Sequence, residues 1–198
     1  MSGSARFWDE QSEMFDQEPD HGLHDPTVRA AWRRLLMANL PPAPAAVADV
    51  GCGTGTLSVL LGQAGYRVSG IDFSPSMINR AIAKASEAGS DAEFSVADGM
   101  SPPWPVGSFD AVIARHVLWA LPDPSLALRR WLSLLRPGGR LLLVEGLWST
   151  GAGLSSAQVL ALLGEPDRDN SVIELVDPLL WGGPIDDQRY LLVSRPWG

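Results

Sequence analysis

The chain has 198 residues, 45% apolar and 19% charged, with no apolar run approaching the ~18 residues of a membrane span. This bounds it to one globular domain with a sizeable core and excludes a transmembrane helix and a largely disordered chain. Cys52 is the single cysteine, which excludes an internal disulfide and a cysteine-built zinc cluster; the N-terminal residues lack the apolar run of a secretory signal, so the chain reads as cytoplasmic. The net charge of −8 is unevenly placed: residues 1–26 hold seven acids against Arg6 and residues 165–187 seven against Arg168, around a nearly neutral body. Such flanks repel a phosphate backbone and disfavour nucleic acid as a partner.

In chain order, Asp25 and Pro26 followed by Val28, Ala31, Trp32, Leu35 and Leu36 predict a capped helix ending at Asn39, before Pro41 and Pro42. Residues 45–50 predict a strand entering Gly51, Gly53 and Gly55, after which Leu57, Leu60, Leu61 and Ala64 recur at helical spacing. Strands follow at 66–72, 92–97, 109–114 and 140–145, with helices at 75–88 and from 124 to 135; Pro137, Gly138 and Gly139 turn the chain into the fifth strand. Beyond Gly146 a helix is expected at 154–163 and strands at 171–176 and 188–194. This alternation predicts an α/β fold, a doubly wound, Rossmann-like, mostly parallel sheet with helices on both faces. The short gap at 177–187 suits a hairpin, so the final strand is expected to run antiparallel. Residues 1–40 are expected to form a lid and helix, and 41–198 the main domain.

The glycine loop lets a ligand approach the backbone and the following helix N-terminus. Its spacing is Gly-x-Gly-x-Gly, with Thr56 where a dinucleotide fingerprint has its last glycine. Asp49 precedes the loop, and Asp72 and Asp98 end the second and third strands. Three acids at consecutive strand ends suit an ammonium, a ribose diol and an exocyclic amine, all of which S-adenosylmethionine carries. The alternative for any one of them is a helix cap.

These segments resemble a class I S-adenosylmethionine-dependent methyltransferase of the small-molecule, type 11-like branch: Val47-Ala48-Asp49-Val50-Gly51-Cys52-Gly53-Thr54-Gly55, Gly70-Ile71-Asp72-Phe73-Ser74-Pro75-Ser76-Met77 and Ala97-Asp98-Gly99. Residues 109–114 and 135–141 resemble the family's fourth strand and its turn into the fifth. The resemblance implies a seven-stranded sheet. It also implies that Asp49 and the loop, Cys52 included, hold the methionine end of the donor and Asp72 the ribose. Phe73 and Met77 then flank the adenine, Asp98 with Gly99 and Met100 reads its edge, and Arg115 contributes through its carbonyl. The product would be S-adenosylhomocysteine.

For the acceptor, His116 follows the fourth strand and is the first candidate to contact it or take its proton, against a purely structural role. His24, or its neighbour His21, could reach the acceptor from the lid; no helix is expected to align them, so no metal site is assigned. Trp119, Trp148 and Trp181 are placed to line an aromatic or apolar acceptor cavity, while Trp32 and Trp131 fall on core stripes. The acids of the lid and late hairpin favour a neutral or cationic acceptor. The expected activity is methyl transfer to an O, N or C nucleophile of a small molecule, with no nucleic acid or membrane partner. A small cap leaves part of the enclosure to the lid and to a partner subunit in a homodimer. A non-catalytic donor-binding protein and a nicotinamide-linked dehydrogenase are the alternatives.

Overall fold

The computed structural model describes residues 5–164 and 168–197. Its seven-stranded sheet consists of β1 (Ala46–Val50), β2 (Arg67–Asp72), β3 (Glu93–Val96), β4 (Phe109–Arg115), β5 (Leu135–Leu147), β6 (Arg168–Glu174) and β7 (Gln188–Pro196). The helices are α1 (Ala5–Gln11), α2 (Pro19–Gly22), α3 (Pro26–Asn39), α4 (Thr56–Gly62), α5 (Pro75–Ala88), α6 (Pro124–Ser133) and α7 (Ser156–Leu163). Across the sheet the order is β3-β2-β1-β4-β5-β7-β6; all pairs are parallel except β5 with β7 and β6 with β7. From β1 the chain winds outward through β2 and β3, then returns to the other side of β1 as β4. The crevice beyond the C-terminal ends of β1 and β4 is therefore a topological switch point, the usual ligand position in such sheets.

The helix limits follow from local chemistry. Asp25 accepts from Thr27 N (2.7 Å) and Ser74 from Met77 N (3.1 Å), each before a proline at the first helical position. Gly89, at φ 60°, ends α5 in the left-handed region that glycine tolerates. Burial on both sides explains the continuous apolar strands. On one face Val47, Ile113, Leu142 and Val144 pack with Trp32, Leu36 and Leu61; on the other Ala48, Val112, Leu141 and Leu143 pack with Leu128, Trp131 and Val159.

Two regions depart from the expected layout. β5 begins at Leu135, which pairs with Phe109; pairing then jumps to Arg140 opposite Ala111, so the expected Pro-Gly-Gly turn is a bulge inside a longer strand. The N-terminal segment contains α1, a 3-10 turn at Phe15–Gln17 and α2, which are too short to leave a helical period in the sequence. β7 lies between β5 and β6 and is antiparallel to both. Within the late acidic segment, residues 165–167 lie outside the described residues. Among the described residues no helix is long and apolar enough to cross a membrane.

Candidate active site

The loop after β1 is tied to β2, with Gly51 N and Cys52 N both donating to Ile71 O (2.8 and 2.9 Å). Gly51, at φ 70°, has no room for a side chain, since a Cβ there would stand 2.4 Å from Val117. Asp72 is buried at the end of β2; Oδ2 accepts from Gly53 N (3.0 Å) and Oδ1 from Ser74 N (2.9 Å), and burial raises its pKa against those bonds. Asp49 is also buried. It accepts from Ser58 Oγ (2.6 Å), and burial, offset by Ser58 and Arg115, brings its pKa to about 6. The Cys52 thiol is pushed well above the usual range by burial and by these two acids, which disfavours a thiolate. Asp98 is exposed and accepts from Met100 N (2.8 Å), while Trp131 Nε1 donates to Gly99 O (2.8 Å), holding that turn against α6.

The N-terminal segment lies over this loop. Phe15 is the nearest group to a Cβ built on Gly53, at 3.3 Å. Asp16 accepts from Thr54 Oγ1 (2.5 Å) and pairs with Lys84 Nζ (2.8 Å), which also donates to Thr54 and Thr56. Asp9 accepts from Ser74 Oγ (2.5 Å) and Ser76 N (3.1 Å) at the start of α5, and these bonds hold its carboxyl below the usual range. The Arg115 guanidinium donates to Asp20 O and lies 5.1 Å over the Trp32 ring, drawn also toward Asp49 and Asp16. Asp9 and Asp16 are therefore tied to the glycine loop and to α5, at Thr54, Ser74, Ser76 and Lys84.

His116 follows β4 with φ 58°, a conformation uncommon for a residue with a side chain. Its N donates to Val144 O (2.8 Å), and Trp119 Nε1 donates to its carbonyl (2.9 Å). Glu145 fixes the next residues: its Oε1 accepts from Val117 N (3.0 Å) and Leu118 N (2.7 Å). That carboxyl is fully buried, Oε2 has no partner among the described residues, and burial pushes its pKa up to about 8 against the backbone bonds. The His116 ring stacks on Trp181 (6.2 Å) and meets the edges of Trp148 (5.3 Å) and His21 (6.4 Å). Burial, then Arg115 and Arg189, hold His116 well below its ordinary pKa; burial, then Arg115, lowers His21. Asp20, His21 and His116 offer ligand atoms within 4.8 Å of one another, a donor set that a divalent ion could use; the two guanidiniums beside the rings oppose a second cation.

Residues 48–143 match the family model described as a methyltransferase domain. The chain is 36% identical over 162 residues to a ubiquinone biosynthesis O-methyltransferase of Xanthomonas axonopodis pv. citri, a match covering 80% of this chain and 62% of that protein. It is 34% identical over 161 residues, with the same coverage, to the protein of that name from Ralstonia nicotianae. It thus spans about three fifths of the length of these relatives. The 48–143 domain belongs to the class I S-adenosylmethionine-dependent methyltransferases. Solved structures share the fold: the [4+2]-cyclase SpnF (TM-score 0.73, 23% identity, 85% of this chain and 81% of that one) and a geranyl diphosphate methyltransferase (0.71, 19%, 84% and 77%).

Within this methyltransferase domain, Asp72, Gly53, Cys52 and Asp49 converge where the sequence placed them. Met77, on α5, is buried, and Phe73, two residues before that helix, is 40% exposed. Gly55 is required by packing, since a Cβ would stand 2.8 Å from Ala81 and Phe94. His21, not His24, is brought beside His116; His24 is exposed. Trp119, Trp148 and Trp181 do gather around His116, while Trp32 and Trp131 are buried in the two cores. Sequence reasoning missed Glu145, Arg189, Asp9, Asp16 and Lys84, and it assigned Arg115 only its carbonyl. A charge inside the apolar run Leu141-Leu142-Leu143-Val144-Glu145 was the one available signal, because an acid in such a strand must be paired or functional.

Proposed function

We propose that this chain binds S-adenosylmethionine in the crevice over β1, β2 and β4 and methylates a hydroxyl oxygen of a small aromatic acceptor. The observation that carries the donor half is the buried Asp72 carboxylate at the end of β2, bonded to the glycine loop whose positive-φ backbone leaves no side chain in the cradle. Asp72 would take the ribose hydroxyls, the loop amides and Asp49 the methionine end, and Phe73, Met77 and the 98–100 turn the adenine. When bound, the donor supplies an already activated methyl group. The protein's task is then alignment and exclusion of water. The lid contacts of Asp9, Phe15 and Asp16 support the second role.

The acceptor half rests on the aromatic wall of Trp119, Trp148 and Trp181, which suits a planar ring, with His116 as the polar group that meets it. The relatives' O-methyltransferase names favour oxygen as the nucleophile. The acidic lid favours a small molecule over nucleic acid. Turnover with labelled donor and a panel of phenols, amines and activated carbon acids tests the reading. Label transferred to phenols supports it. Transfer only to nitrogen or carbon would replace the acceptor class, and donor binding without any product would favour a non-catalytic binding protein.

A further inference from the structure

Arg189 stands on β7 opposite Gly146 of β5. A Cβ on Gly146 would come 2.7 Å from Arg189 Cδ and 2.5 Å from Gln188 O, so glycine at that position is what lets the arginine lie across the strand. Three contacts then hold the guanidinium. It lies 5.1 Å from the Trp148 ring centroid and 5.0 Å from that of Trp181, and Nη2 donates to Asp187 Oδ2 at 2.8 Å. Asp187 is itself fixed by Ser149 N at 2.6 Å. The remaining terminal nitrogen, Nη1, is 3.4 Å from Nε2 of His116.

A guanidinium has only donors and keeps its proton, so His116 Nε2 must be the acceptor in this contact. A neutral imidazole that accepts at Nε2 carries its proton on Nδ1. We propose that Arg189 is a positioning residue that locks His116 as the Nδ1–H tautomer, making it a hydrogen-bond donor to the acceptor and keeping its one lone pair, on Nε2, engaged with the guanidinium instead of free to take a proton. This rests on the reading of His116 as the acceptor-facing group.

The charged and titratable groups around the ring are Arg115 on its own strand end, Arg189 on β7, and Asp20 and His21 on α2, with Asp187 behind Arg189. Burial and the two cations keep the imidazole neutral, in agreement with the lock. The consequence is a substrate class. An acceptor hydroxyl must give its proton to solvent water rather than to His116, and the N–H and neighbouring guanidiniums favour the resulting oxyanion, so the site selects acidic hydroxyls such as electron-poor phenols. This reverses the preference for neutral or cationic acceptors drawn from net charge.

The test is imidazole nitrogen–proton correlation spectroscopy on the full chain with labelled histidine, followed across pH; H21Q and H24Q assign the three ring systems. Wild-type His116 is expected to show a protonated Nδ1, a bare Nε2 and no second protonation at neutral pH. In R189M the proton should move to Nε2 and the titration midpoint should rise. G146A, which crowds Arg189 from β5, should act in the same direction. Wild-type His116 protonated at Nε2, or doubly protonated at neutral pH, overturns the proposal, as does R189M with an unchanged tautomer and midpoint. The spectrum needs neither donor nor acceptor, so its failure is distinct from a failure of methyl transfer.

Discussion

The proposed donor side and the proposed acceptor side of the crevice are built differently. On the proposed donor side the groups sit in short segments at the ends of consecutive parallel strands: the 51–55 loop after β1, Asp72 as the last residue of β2, and the 98–100 turn after β3. On the acceptor side His116, Glu145, Trp181, Arg189 and His21 come from β4, β5, the loop before β7, β7 itself and the lid. The first arrangement follows from local backbone geometry; the second exists only once the sheet order is complete. The same fold is shared by a cyclase and a methyltransferase among the solved structures.

Substitutions on the two sides should therefore fail in different ways. The largest effect is expected for E145L, which leaves the buried N–H groups of Val117 and Leu118 without an acceptor, at about 1–3 kcal/mol each in urea unfolding. E145Q keeps an acceptor and should cost less. It also isolates a pH effect: the folded pKa of about 8 lies above the ordinary 4.5, so the native state holds the proton more tightly. Its contribution to stability is then full below about pH 4.5 and declines as pH rises through 8. Stability curves of E145Q should be flatter over that window; a slope equal to wild type would remove Glu145 as its source.

D72A acts on the donor side and should weaken S-adenosylhomocysteine binding by about 2 kcal/mol, roughly thirtyfold, through loss of a charged acceptor. Unchanged affinity in calorimetry would take Asp72 out of the site. D16N loosens the lid at Lys84 and Thr54 and should speed donor release a few-fold, near 1 kcal/mol, with little change in melting temperature. Wild-type release kinetics would mean that this latch does not cover the donor. The smallest effect is expected for H24A, which should keep full turnover where H21A lowers it. Equal losses would erase the distinction between the exposed and the buried histidine.

The legibility of the two sides in the sequence follows the same division. Strand and helix positions emerged because apolar periods, Asp-Pro and Ser-Pro caps and glycine stops act over a few residues, and the 75–88 helix coincides with α5. The position of Asp72 was legible because a parallel strand delivers its C-terminal residue to the crevice without help from the rest of the chain. Arg189 was not. Insertion of β7 antiparallel between β5 and β6 brings the first residues of β7 beside the last of β5, and a hairpin pattern alone does not reveal which neighbour it joins. The N-terminal acids could be counted but not aimed, because charge along a sequence carries no direction; Asp9 and Asp16 became informative only with Ser74, Thr54 and Lys84 beside them.

The central claim is that the crevice over β1, β2 and β4 is a donor site for S-adenosylmethionine. Calorimetric titration with S-adenosylhomocysteine and, separately, NAD tests it most directly. Saturable one-to-one binding of S-adenosylhomocysteine, weakened in D72A and without competition from NAD, is the predicted result. Binding of NAD with no affinity for S-adenosylhomocysteine would contradict the account.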